Sequence, residues 1–202
     1  MAGEKPPPSA RQLDLLERAY QYALERGIAE LSLRPLASAI GSSPRVLLYL
    51  FGSKDGLVRA LLDRARSDEL ALLERLNALN GHRPVGLEVA AEQIWSWLAD
   101  SSHRPLLTLW VEAYGRSLVE PGGPWGDFAL STVDDWLAVL AAAQPPQHRA
   151  TEAGHQQRTL VLAVLRGALL DLLATGDEQR ATAAVQAQLE MLRAASAAGA
   201  SS

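Results

Sequence analysis

Residues 32–54 read SLRPLASAIGSSPRVLLYLFGSK. The spacing of apolar and small residues predicts two short helices meeting at a sharp turn. Leu33, Leu36 and Ile40 line one face of the first helix, and Leu47 and Phe51 answer from the second. Ala37 is small where the two would cross. Gly41 supplies the left-handed backbone that a tight turn needs, and Leu47 then plugs back against the first helix. A small residue, a glycine four positions on and an aliphatic ten positions on is the spacing of a DNA-binding helix-turn-helix. An ordinary helical hairpin in a core has the same apolar pattern, so the exposed side chains must decide.

On the second helix those side chains are Arg45, Val46, Leu48 and Tyr49. Arg45 suits a base edge or a phosphate, Val46 a thymine methyl, and Tyr49 either kind of contact. Helix N-termini at Ser32 and at Ser53-Lys54 can aim backbone N–H groups at phosphates, and Arg34 and Lys54 add charge there. The candidate DNA-contacting set is therefore Ser32, Arg34, Ser42, Ser43, Arg45, Val46, Leu48, Tyr49 and Lys54.

Working outward, every other segment also reads as helix. Leu13, Leu16, Tyr20, Ala23 and Leu24 recur at helical spacing between Ala10 and Arg26, and Gly27 stops that helix. Ser32 is placed to cap the next helix, and Ser43 with Pro44 starts the one after it. Ser53 caps a long helix over 54–79, broken by Asn80-Gly81 and Pro84. Further helices are expected over 86–100, 102–119 (starting at Ser102), 125–143, 154–175 and 177–195. Residues 144–154 read as an exposed loop, and both tails, 1–9 and 194–202, as loose. The expected fold is all-α with about nine helices: a helix-turn-helix domain over 1–53 and a helical body over 54–202.

Composition narrows the function classes. The 202-residue chain is 48% hydrophobic, so it can bury a real core. It has no cysteine, which removes disulfides and thiolate metal sites and suits a reducing, cytoplasmic location. The start, MAGEKPPPSARQ, lacks the apolar core of a secretory signal. No stretch reaches the ~20 apolar residues that span a bilayer, so no membrane partner is expected. The net charge of −4 divides into +2 over residues 1–60 and −6 over 61–202. Only the basic head needs to approach phosphates. His82, His103, His148 and His155 lack metal-ligand spacing, and phosphate-loop and nucleophile-elbow patterns are absent from the sequence. Neither an enzyme nor a cofactor is expected.

Residues 31–62, LSLRPLASAIGSSPRVLLYLFGSKDGLVRALL, with a preceding helix from near Arg11, resemble the TetR family of bacterial regulators. Phe51-Gly52-Ser53-Lys54 followed by Leu57 carries much of that resemblance, and residues 165–177, LRGALLDLLATGD, are similar to the late helix of many members. Two positions depart from the family's habit. Leu48 stands where members commonly have a tyrosine whose phenol touches a phosphate, and Leu50 where they commonly have histidine. Arg45 and Tyr49 are the groups available to compensate.

The resemblance implies a C-terminal domain that binds a small molecule and pairs with a second subunit, with repression the usual mode. Five tryptophans lie between 95 and 136, and ligand pockets are mostly apolar and aromatic with a few polar groups. The ligand candidates are Trp95, His103, Trp110, Glu112, Tyr114, Arg116, Trp136, Arg166 and Asp171. Tryptophans at helical spacing also serve as core, and Glu112 and Arg116 at i,i+4 can satisfy each other. The helix after residue 154 is apolar nearly all round from Leu160 to Ala174, so it needs covering on most sides. Ala163 and Gly167, with Ala187 and Met191 on the last helix, are the expected dimer contacts, although a fully internal helix would look similar.

The expected function is a sequence-specific regulator, a repressor, that binds a near-palindromic operator as a homodimer and is released by a small-molecule effector. The alternative is a helical ligand-binding or interaction module with weakened DNA binding, motivated by Leu48 and Leu50.

Overall fold

Capping residues set the helix boundaries. The structure, a computed structural model, describes residues 8–28, 31–79 and 83–199. Among them are ten α-helices, one 3-10 turn and no strand. In chain order they are α1 (Ala10–Arg26), α2 (Leu33–Ala39), α3 (Pro44–Phe51), α4 (Lys54–Leu79) and α5 (Leu87–Ala99), followed by a 3-10 turn at Ser101–His103. Then come α6 (Arg104–Val119), α7 (Phe128–Ala143), α8 (Pro146–Arg149), α9 (Glu152–Thr175) and α10 (Glu178–Gly199). The chain forms two compact units, Met1–Ser67 with Thr108–Ala129, and Asp68–Leu107 with Leu130–Ser202. Neither is a single run of chain, in contrast to a linear division after residue 53. The expected Asn80-Gly81 break, the start of the first tail and residues 200–202 lie outside the described residues.

In the first unit, Ser9 Oγ accepts the Gln12 N–H at 3.2 Å and starts α1. Its buried residues Leu15, Ala19, Tyr20 and Ala23 fall on one helical face. Leu36 and Ala37 of α2 and Leu47 of α3 are at most 1% exposed, so the expected crossing of the two short helices forms. Gly41 takes φ +68°, which lets the Ser42 N–H reach the Ala37 carbonyl at 2.8 Å and close the turn. Ser43 Oγ caps α3 on the Val46 N–H at 3.3 Å, with Pro44 in its first turn. Ser32 occupies the position before α2, but its hydroxyl accepts no capping bond among the described residues, which corrects that expectation.

Ser53 Oγ caps α4 on the Gly56 N–H at 2.9 Å. The junction is tight: a Cβ on Gly56 would sit 2.1 Å from the Phe51 carbonyl oxygen. Arg64 ties α4 to α1, with Nε 2.9 Å from Glu17 Oε2 and the guanidinium 4.8 Å from the Tyr20 ring centroid.

In the second unit, α5, α9 and α10 pack on one another. The Trp95 indole N–H donates to Thr182 Oγ1 at 3.0 Å, Arg193 pairs with Glu92 at 3.1 Å, and the Arg104 guanidinium reaches the Leu173 carbonyl at 2.9 Å. Three boundaries differ from expectation. Asp100, not Ser102, caps the turn before α6, accepting the Ser102 N–H at 2.8 Å. α7 begins at Phe128 because residues 121–127 form turns closed by Ser117 Oγ, which donates to the Gly126 carbonyl at 2.8 Å. α10 continues to Gly199, past the expected end near 195, since its run of alanines favours helix.

Residues 144–154 are the largest difference. They hold α8 and a buried polar knot rather than an open loop. Arg158 is 9% exposed and donates to Gln144 Oε1 (3.0 Å) and to the Arg149 carbonyl (2.9 Å). Gln144, 2% exposed, donates to the Gly154 carbonyl at 3.0 Å. A guanidinium fourteen residues from its amide partner leaves no local pattern in the sequence.

Gly56→Ala should destabilise the first unit by about 1–3 kcal/mol, an overpacking cost, and lower Tm by roughly 2–4 °C per kcal/mol. Gly115→Ala is the matched control, since a Cβ there meets nothing within 4 Å. It should leave Tm unchanged or raise it. Equal effects of the two substitutions would contradict the close-approach account.

Candidate nucleic-acid interface

The first unit presents α3 outward. Leu47 is buried, while Arg45 is exposed, Val46 half-buried, Leu48 40% exposed and Tyr49 87% exposed. A tyrosine that far into solvent is not part of the core. Arg34 and Lys54 are exposed on the elements flanking α3, and residues 31–54 contain no Asp or Glu. The resulting surface sets Arg45 among apolar side chains on α3, with Arg34 and Lys54 on the flanking elements.

Ser43 uses its hydroxyl as the α3 cap, and Ser32 stands exposed before α2. Ser42 departs from the expected set. Its Oγ is buried without a hydrogen-bond partner among the described residues, so that hydroxyl is not offered to DNA. Leu50, half-buried, contributes through its backbone: its carbonyl accepts the Gln12 side-chain N–H at 3.1 Å. That contact fixes the end of α3 against α1, and sequence reasoning missed it because the partners are 38 residues apart.

The expected ligand residues are divided between the units. Trp110, Glu112, Tyr114 and Arg116 fall in the first, and Trp95, His103, Trp136, Arg166 and Asp171 in the second. Several carry structural bonds. Glu112 Oε2 accepts the Ile28 N–H at 2.9 Å, satisfying a backbone donor after α1. Arg116 binds Glu120 at 2.7 Å, and Asp171 binds Arg180 at 2.8 Å. His103 stacks on Trp97 with ring centroids 4.0 Å apart, and its Nδ1 lies 2.9 Å from the Trp97 carbonyl. Trp110 is buried, and Tyr114 and Arg166 are half-buried. Trp136, also buried, donates its indole N–H to Glu69.

Glu69 is fully buried and was missed. The signal was present: Leu62, Ala65, Glu69, Leu72 and Leu73 share one face of α4 at helical spacing, so a carboxylate stands in an apolar stripe. A depression of 500 Å³ lies along the start of α10, lined by Glu178, Gln179, Thr182, Ala183 and Gln186, none of them an expected ligand residue. Two exposed groups shift their ionisation, both for structural reasons. Hydrogen bonds from the Ser102 side chain and backbone hold the Asp100 carboxyl below its ordinary value. The hydrogen bond and charge of Asp171 hold Arg180 above its own.

A capped short helix presented on a three-helix head is the arrangement of a DNA-binding helix-turn-helix. Residues 15–61, the helix-turn-helix head, match the model of the bacterial regulatory proteins of the tetR family. No curated protein matches the chain. The fold is shared along nearly its whole length with solved structures. A TetR-family transcriptional regulator from Rhodococcus sp. is 16% identical, with a TM-score of 0.70 over 91% of this chain and 99% of that one. A transcriptional regulator from Rhodococcus sp. Rha1 is 19% identical, with a TM-score of 0.72 over 90% and 95%. The multidrug binding protein EbrR, solved in complex with imidazole, is 25% identical, with a TM-score of 0.63 over 89% of each chain. No helix among the described residues is long and apolar enough to cross a membrane.

Glu112→Ala should cost about 1–3 kcal/mol in urea denaturation by leaving the Ile28 N–H unsatisfied. Glu112→Gln keeps an acceptor and should cost less. Equal losses in the two variants would contradict the hydrogen-bond role.

Proposed function

We propose that the chain is a repressor that binds a near-palindromic operator as a homodimer and releases it when a small molecule binds the helical body. In this reading residues 1–53 are the DNA-binding domain and 54–202 the ligand-binding and dimerisation domain of a cytoplasmic, non-catalytic regulator. The observation that carries it is the outward face of α3, where Arg45, Leu48 and Tyr49 stand exposed, with the exposed cations Arg34 and Lys54 on the flanking elements. Arg45 and Tyr49 would enter the major groove, and Arg34 and Lys54 would meet phosphates on either side.

A second surface supports pairing. Leu160, Ala163, Gly167 and Leu170 are exposed along one face of α9, and Ala187 and Met191 are exposed on α10. Leucines 50% and 52% exposed beside residues without bulk make a face that a second copy can approach closely. Two-fold pairing would present two α3 helices to successive major grooves, about 34–36 Å apart. An effector that prefers a different spacing would weaken operator binding by its differential affinity for the two states, transmitted through α4. EbrR binds imidazole in its solved complex, and small aromatic cations are a reasonable first class of effector to screen here.

Fluorescence anisotropy against duplexes selected from a random library tests the core claim. Affinity should fall steeply with salt, and Lys54→Ala should reduce the log–log slope by about 1 with a uniform loss across sequences. Arg45→Ala should cost about 1–3 kcal/mol on the selected duplex and less on random DNA. No binding to any duplex at low salt would leave a helical interaction module as the better description. For the dimer, Gly167→Arg should shift the mass by light scattering to that of one chain. An unchanged mass would place the interface elsewhere.

A further inference from the structure

We propose that α3 reads its half-site chiefly through thymine methyl groups, with a single guanine contact from Arg45, so that the operator is thymine-rich where α3 enters. The inference rests on the DNA-reading role above and specifies the chemistry read. It starts from what α3 lacks. PRVLLYLF has two side chains able to hydrogen-bond, Arg45 and Tyr49. Direct readout of adenine uses the paired donor and acceptor of Asn or Gln, and readout of cytosine uses a carboxylate acceptor. α3 carries none of these residues. Arginine pairs with the O6 and N7 of guanine, and apolar side chains meet the C5-methyl of thymine.

Geometry puts the apolar groups where the bases would be. At about 100° per residue, Leu48, Arg45, Tyr49 and Val46 follow one another across an arc of about 160°, with buried Leu47 on the far side. Arg45 sits within that arc, flanked by Leu48 on one edge and by Tyr49 and Val46 on the other. Leu48 is 40% exposed and Tyr49 87% exposed, although both have apolar bodies. These neighbouring apolar groups are available for a bound partner to cover. The charges name the occupant: Arg45 within the arc and Arg34 and Lys54 on the flanking elements, with no acidic residue between 31 and 54, favour a polyanion over an ordinary protein surface. On duplex DNA, the apolar groups exposed in the major groove are the thymine methyls. Leu48 thus offers a base contact and has no hydrogen bond to give a phosphate.

The probe is a duplex recovered by selection from a random library, and the same duplex with deoxyuridine replacing thymine. That replacement removes the methyl and leaves the pairing and the O4 acceptor in place. Each contacted methyl should contribute about fourfold to affinity, so full replacement should weaken binding at least about tenfold with an unchanged salt slope. Leu48→Ala should weaken binding to the thymine duplex and show little further loss on the deoxyuridine duplex. Tyr49→Phe, which keeps the ring, should retain most of the discrimination. Circular dichroism of the variants, both at exposed positions, checks that the fold is kept. Equal affinity for the two duplexes, or selected half-sites without thymine, would overturn the proposal and leave the DNA-binding role standing. Failure to recover any duplex would overturn both.

Discussion

Leu47 holds α3 in place, and the outward surface of α3 depends on that hold. An eight-residue helix has no stability of its own in water, because too few hydrogen bonds follow the costly first turn. Burying Leu47 against α2 contributes roughly 1.5–3 kcal/mol and settles which side of α3 faces in. The Gly41 turn brings Leu47 to Leu36 and Ala37, the Gln12 contact holds the Leu50 carbonyl, and the bare Cα of Gly56 admits the Phe51 carbonyl. With one face committed, Arg45, Leu48 and Tyr49 have no direction left but outward.

Much of this head was legible because its signals are local. Ser43-Pro44 announces a helix start and Gly41 a turn, each within four residues of its effect, and the structure keeps both. Features set by distant partners were not legible. Glu112 looked like a pocket carboxylate, yet it serves a backbone N–H 84 residues away. Arg64 of α4 pairs with Glu17, 47 residues away, and sits over the Tyr20 ring. Ser42 shows a finer limit: its place in the turn was readable, but the burial of its Oγ depends on how α2 and α3 close around it. Glu69 lies between these cases, since its helical phase was readable and only the assumption that glutamate faces water concealed it.

The helical body shows why residue type alone names ligand groups poorly. Tryptophan, histidine and arginine suit a pocket because they combine apolar surface with a polar tip, and a core of crossed helices uses them for the same reason. Trp95 gives its N–H to Thr182, Arg158 cross-links the α7–α9 connection, and Asp171 meets Arg180. The first two bonds satisfy polar groups that would otherwise be costly to bury, and the third is an exposed pair. Glu69 with Trp136 is where a buried carboxyl group meets a buried aromatic on two different helices, an arrangement that no helix end or turn requires.

Magnitudes connect the α3 surface to the exposed face of α9. One guanine contact is worth about 1–3 kcal/mol of discrimination and each methyl about 0.8 kcal/mol. A single α3 with one arginine and two or three apolar contacts therefore reaches only about 3–5 kcal/mol. Specific regulators exceed their own non-specific binding by about 4–10 kcal/mol. A lone copy would sit at the bottom of that range, and a pair would fall well within it. The apolar character of α3 thus makes duplication of the reader more necessary than it would be for a helix rich in Asn, Gln and Arg. Leu160, Ala163, Gly167 and Leu170 supply a face suited to that duplication. In the proposed dimer, the weak chemistry of each reader and the apolar face of α9 would be complementary parts of one recognition scheme.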